Sequence, residues 1–150
     1  NITPIQLLEL SKLKNIVAIK EASGNISQVA KMKALCKDNI DIYSGNDDQV
    51  VPIMALGGLG VISVLANIMP KAVHDMATTF LSGNTKKALQ IQLDTLDIAN
   101  KLFIETNPIP IKTALNLMGK DVGPFRLPLC DMDDKNLEIL KYSLKEYNLI

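Results

Sequence analysis

Asn15-Ile16-Val17-Ala18-Ile19-Lys20-Glu21-Ala22-Ser23-Gly24-Asn25 is a short apolar run that ends on a lysine and then breaks. Such a run, bounded by turn residues, has the pattern of a strand buried on both faces of a parallel sheet. Ser23-Gly24-Asn25 interrupts it and offers Asn25 as the cap of a following helix. Lys20 therefore falls at the carboxyl end of the strand, where α/β sheets and barrels gather their chemistry. Burial disfavours the ammonium form of a lysine. The neutral amine attacks carbonyl carbons to form Schiff bases. The local residues also allow a plainer arrangement, with Lys20 in solvent or paired with Glu21.

Outward from this strand the chain alternates. Thr3, Pro4 and Gln6 form a helix start with a capping box, and Ile5, Leu8 and Leu13 give that helix an apolar stripe. A second helix is predicted over 26–37, with Val29, Met32, Leu35 and Cys36 at helical spacing and Gln28 as box partner to Asn25. Residues 40–44 read as the next strand. Asp47 or Asp48 is expected to cap a helix that is apolar nearly all round and stops at Gly57-Gly58. A third strand is predicted over 60–65. Pro70 opens a helix that stops near Ser82-Gly83, and one long helix is predicted over about 85–105. Asn107-Pro108-Ile109-Pro110 reads as a rigid turn before a helix over about 111–118, closed by Gly119. A loop spans 120–132, and Leu137, Leu140 and Leu144 mark a last helix over about 133–147. The order is α, three βα units, then helices: residues 1–83 form the α/β segment and 84–150 a helical extension. That order predicts a parallel sheet with right-handed crossovers.

Composition narrows the function. Sixteen basic and sixteen acidic residues cancel in 150, so no nucleic-acid or membrane partner is expected. The apolar runs are too short to span a bilayer, and no signal peptide is visible. Cys36 and Cys130 lack any motif spacing and read as buried, reduced thiols of a cytoplasmic protein. No His/Cys cluster supports a metal; neither metal nor cofactor is expected, and His74 falls on a helix away from the strand ends. The chain opens on Asn1 at a helix cap, which reads as a fragment or a processed chain.

Ile19-Lys20-Glu21-Ala22-Ser23-Gly24-Asn25 resembles the Schiff-base strand of the pyruvate-dependent class I aldolases, the family that includes dihydrodipicolinate synthase and N-acetylneuraminate lyase. Tyr43-Ser44-Gly45-Asn46-Asp47, Gly57-Gly58-Leu59-Gly60-Val61-Ile62-Ser63, Asn107-Pro108-Ile109-Pro110-Ile111-Lys112 and Phe125-Arg126-Leu127-Pro128-Leu129 extend the resemblance over nearly the whole chain. They point to the synthase branch. The lyase branch usually lacks the Asn-Pro-Ile-Pro-Ile-Lys form and carries a different residue after its lysine.

The resemblance implies the C-terminal half of a (β/α)8 TIM barrel, about strands six to eight with their helices, followed by a C-terminal helical extension. Three strands cannot close a barrel, and their open edges invite pairing. A missing N-terminal half-barrel is thus an expected partner; the resemblance implies a homotetramer as well, and this chain alone is not expected to turn over. The resemblance further implies that Lys20 is catalytic and captures pyruvate as an imine. Its enamine would then attack L-aspartate 4-semialdehyde to give 4-hydroxy-tetrahydrodipicolinate, in lysine (diaminopimelate) biosynthesis. Gly45 would line the substrate pocket, and Ile62 would present its backbone carbonyl to pyruvate. The residues themselves equally allow Gly45 as a turn glycine, Ile62 as a core side chain, and Asn46 and Asp47 as helix caps. The family's catalytic tyrosine and threonine and its substrate arginine would lie in the missing half; Tyr43, Tyr142 and Tyr147 do not match them, and Arg126 reads as structural. Two alternatives stand beside this reading: another pyruvate-dependent aldolase acting on sialic acid or a ketodeoxysugar acid, and a non-catalytic half-barrel.

Overall fold

The computed structural model describes all 150 residues. The chain divides into two compact units, one of residues 1–63 and 75–92, the other of 64–74 and 93–150. No helix is long and apolar enough to cross a membrane.

The first unit is built on three parallel strands in the order β1-β2-β3: β1 Ala18–Glu21, β2 Asp41–Ser44 and β3 Gly60–Val61. Lys20 pairs in register with Tyr43, and Tyr43 with Gly60. Helix α1 (Pro4–Leu10) starts on the expected capping box, with Thr3 and Gln6 each bonded to the other's backbone N–H. Helix α2 (Ile26–Cys36) starts on Asn25, whose Oδ1 accepts from Gln28 N–H at 3.1 Å. Helix α3 (Val50–Ala55) runs on from a 3-10 turn at Asp47–Gln49. The remaining elements are α4 (Pro70–Leu81), α5 (Thr85–Asp94), α6 (Leu96–Lys101), α7 (Ile109–Leu117) and α8 (Asp134–Glu146).

Strands adjacent in sequence order, joined by crossovers of one hand, place both connecting helices on one face of the sheet. The buried core follows: Leu7, Val29, Met32, Cys36, Ile40, Ile42 and Ile53 pack from α1, α2, β2 and α3 with Ile19 against them. On the other face, Ala18, Lys20 and Asp41 are exposed and Tyr43 is half-buried. This corrects the expectation that the lysine strand is buried on both faces. Only Ile19 and Glu21 turn into the helical layer, and Lys20 stays exposed on the other face.

Other corrections have local causes. Of the predicted stripe only Leu8 packs against the core, beside the fully buried Leu7; Ile5 is exposed, and Leu13 lies exposed beyond the end of α1. Asp47 lies buried within the 3-10 turn, and Gln49, not an aspartate, holds the N-cap position of α3. The start of α3 is instead satisfied from afar. The buried side chain of Gln92 accepts Val51 N–H at 2.6 Å and donates to Asp48 O at 2.8 Å, taking up one of the orphan amides that a helix start leaves. The third strand is shorter than predicted because the backbone turns helical at Val64, ahead of a 3-10 turn at Leu65–Asn67. The helix expected over 85–105 is broken at Thr95. Helix α7 begins at Ile109, two residues before the predicted start, with Pro110 inside its first turn. Cys36 is buried and Cys130 exposed, and both are free thiols.

In the second unit, Ile98, Ala99, Leu102, Ala114, Leu140 and Leu144 are buried. Ser143 Oγ donates to Asp97 Oδ2 at 2.9 Å, and Tyr147 Oη donates to Asp94 O at 2.7 Å. Lys112, the last residue of the proline motif, clips the 120–132 loop to α7. Its Nζ donates to Pro124 O at 2.7 Å and sits 5.2 Å from the centre of the Phe125 ring.

Candidate active site

Lys20, Gly45 and Ile62 come together at the carboxyl ends of the three strands. Register places Lys20 beside Tyr43, and the next step along the same face brings Ala22, Gly45 and Ile62 into one row. Lys20 also borders a cleft of about 510 Å³ along β1, lined further by Asn1, Ile2, Ile19, Glu21, Ala22 and Ser23 and not by Gly45 or Ile62.

Gly45 is shaped to the lysine. Its N–H donates to Glu21 O at 2.7 Å, which holds it against β1. A Cβ at this position would stand 2.6 Å from Ala22 Cβ, 2.8 Å from Lys20 Cε and 3.1 Å from Lys20 Cγ. Carbon atoms in good contact are about 3.5–4.0 Å apart, so the Ala22 methyl and the lysine stem together leave room for glycine alone at this strand end. Gly45 has no positive φ; close approach, not turn geometry, is what requires it here.

Glu21 does not serve as the partner of Lys20. Alternation along β1 turns it to the opposite face, where it is 3% exposed. Its Oε1 accepts Ser23 N–H at 2.6 Å and its Oε2 accepts Gln28 Nε2 at 3.1 Å. The carboxylate thus fixes the turn after Lys20 to the start of α2. Gln49 ties the next turn to it, donating through Nε2 to Gly24 O at 3.2 Å.

The side chain of Ile62 is 50% exposed in this chain. Its N–H donates to Ser44 O at 2.8 Å and carries the β2–β3 ladder one step past Val61. In a continuing parallel ladder the Ile62 carbonyl would accept Asn46 N–H. That N–H is bonded to Ser44 Oγ at 3.2 Å, and Ser44 Oγ donates to Asn46 O at 2.7 Å.

Sequence reasoning missed three members of this arrangement. Glu21 reads as a surface partner because charge suggests exposure. Gln49 carries no local signal. Ser44 has a faint one, a serine two residues before an asparagine at a strand end, the spacing of a side-chain turn. His74 and Arg126 are exposed, on α4 and in the 120–132 loop respectively, and belong to no part of this cluster.

The fold and the strand-end cluster define an α/β chain built on a parallel sheet. The profile of the dihydrodipicolinate synthetase family matches residues 1–147. The chain belongs to that family. It is 66% identical over 148 residues to 4-hydroxy-tetrahydrodipicolinate synthase of Clostridium novyi, a match that covers 99% of this chain and 50% of that protein. It superposes on a crystal structure of dihydrodipicolinate synthase with a TM-score of 0.95 at 46% identity, covering 100% of this chain and 52% of the other. The dihydrodipicolinate synthase of Acinetobacter baumannii, solved in complex with pyruvate, gives a TM-score of 0.95 at 32% identity, with 100% of this chain and 52% of the other covered. The chain spans about half the length of the curated relatives it matches.

Proposed function

We propose that this chain is the C-terminal half of a cytoplasmic synthase that condenses pyruvate with L-aspartate 4-semialdehyde, and that its three strands are the sixth to eighth of an eight-stranded barrel. Supporting this is the exposed face of the sheet. Parallel sheets are stable with both faces covered, and here Lys20 stands exposed on the face opposite the helical layer. A first half-barrel would close that face into an interior and complete the cleft. Assembly into a homotetramer is the further reading that the sequence resemblance supports.

In the proposed mechanism the Lys20 amine adds to the keto carbon of pyruvate. The carbinolamine loses water to give the imine, which loses a proton from its methyl carbon to give the enamine. The enamine carbon attacks the aldehyde carbon of the semialdehyde. The amine of that substrate then adds to the imine carbon, the ring closes, and Lys20 leaves as the free amine. One water is lost in all, the one released on imine formation. Gly45 gives the lysine stem its path, and the Ile62 carbonyl accepts a hydrogen bond from the adduct. The observation that carries this reading is the fit of Gly45 to Lys20, because a turn glycine has no need to clear a lysine stem.

Borohydride added to the full-length protein with pyruvate should trap the imine, and peptide mapping should place the adduct on Lys20. An adduct on any other residue removes Lys20 from the mechanism. Comparing L-aspartate 4-semialdehyde with sialic acid and ketodeoxysugar acids as substrates separates this synthase from the other pyruvate aldolases.

A further inference from the structure

We propose that Ser44 is a positioning residue, whose hydroxyl withholds Asn46 N–H from the Ile62 carbonyl and so leaves that carbonyl open to the adduct on Lys20. The inference rests on the assignments of Lys20 as the imine-forming amine and of the Ile62 carbonyl as an acceptor for its adduct.

The geometry is a competition for one backbone donor. Gly45 and Ile62 are register neighbours, since Tyr43 pairs with Gly60 and Ser44 with Val61. The first bond of the next ladder step is made, from Ile62 N–H to Ser44 O at 2.8 Å. The second would run from Asn46 N–H to Ile62 O. Serine side chains offer the backbone a local alternative to a sheet ladder. Ser44 does this with both functions of its hydroxyl: it accepts Asn46 N–H at 3.2 Å and donates to Asn46 O at 2.7 Å. Ser44 is fully buried, so water does not compete for these bonds. The ladder stops at a half-made step, in the row that holds Gly45 against Lys20.

Removing the hydroxyl frees Asn46 N–H. A half-buried amide seeks an acceptor, and the Ile62 carbonyl is the one that the ladder places opposite it. The strand pair would lengthen by one bond, and the carbonyl would enter the reaction already occupied. Ser44→Ala should therefore fold, because it completes a ladder, yet form the imine slowly.

The test uses the full-length protein and its Ser44→Ala, Ser44→Thr and Ser44→Val variants. Borohydride trapping with pyruvate, followed in time, reads the rate of adduct formation at Lys20. Ser44→Ala should slow it about tenfold, the worth of one hydrogen bond, while Ser44→Thr, which keeps the hydroxyl, should stay near the parental rate. Ser44→Val matches threonine in volume, so the Thr/Val difference reports the hydroxyl even if the alanine variant folds poorly. A crystal structure of Ser44→Ala should show Asn46 N within hydrogen-bond distance of Ile62 O. Parental rates in Ser44→Ala and Ser44→Val, with the adduct still on Lys20, overturn the role of Ser44 and leave the lysine assignment intact. A slowed variant in which Asn46 N–H has not moved to Ile62 O also overturns it. Absence of any Lys20 adduct in the parental protein overturns both.

Discussion

Gly45→Ala places one methyl group where the lysine stem runs. The new Cβ would meet Ala22 Cβ at 2.6 Å and Lys20 Cε at 2.8 Å, short of ordinary carbon contact by roughly 1 Å. Two movements can relieve this. Ala22 can yield only if the backbone after β1 shifts, against the 2.7 Å bond from Gly45 N–H to Glu21 O. Lys20 can yield by swinging its stem, which carries Nζ off line by roughly 1 Å. Overpacking of this kind costs about 1–3 kcal/mol, and a 1 Å misplacement of a reacting group costs about 100-fold in rate. The full-length Gly45→Ala protein should thus lose about two orders of magnitude in kcat/KM for pyruvate, with a parallel fall in the borohydride-trapping rate and a lower Tm. Gly60→Ala is the control. It lies on the same face one strand over, where an added Cβ meets only the Tyr43 ring, at 3.7 and 3.8 Å. It should stay within about threefold of the parent, a difference under 1 kcal/mol. If Gly45→Ala keeps the parental rate, the stem does not lie across this glycine during reaction and the proposed fit is wrong.

Gln92→Ala should destabilise the protein by about 1–3 kcal/mol in urea, because Val51 N–H and Asp48 O lose a buried partner; a change below about 0.5 kcal/mol would mean water replaces the amide freely. Burial holds the Tyr147 phenol above its ordinary value. The folded chain therefore binds that proton more tightly than the unfolded one. The resulting stabilisation is whole below the unfolded pKa of about 10 and is lost as pH climbs through the folded value. Tyr147→Phe should flatten the alkaline fall in Tm, and an unaltered slope above about pH 10 would assign that fall to other groups.

Local signals in the sequence were accurate where one residue decides the outcome. Thr3 with Gln6, Asn25 and Pro70 mark helix starts where the chain has them, and Gly57, Gly83 and Gly119 adopt positive φ where helices end. Apolar periodicity served less well, because it shows that a face is apolar but not which neighbour meets it. In α1 three leucines and an isoleucine compete, and packing against the core buries Leu7 fully and Leu8 in part. Along residues 88–102 the buried positions Ala88, Gln92, Thr95, Ala99 and Leu102 keep helical spacing straight through the break at Thr95, so the period carries no trace of it. Two buried members, Gln92 and Thr95, are polar and fall outside a hydrophobic pattern altogether. At the candidate site, Lys20 and Gly45 were legible because a lysine after an apolar run and a glycine after a strand are each unusual. Glu21 and Ser44 were not, since their parts depend on the opposite face of the sheet and on a ladder that stops.

The bridge from Gln92 to residues 48 and 51 joins points 44 and 41 positions apart in the chain. On the ribosome, the amide that completes the opening turn of α3 emerges well after that turn itself. Until then Val51 N–H is left to water, and β3 and α4 are made with an unfinished element before them. Synthesis thus sets a natural order, in which the start of α3 receives this polar clasp only when translation has passed residue 92.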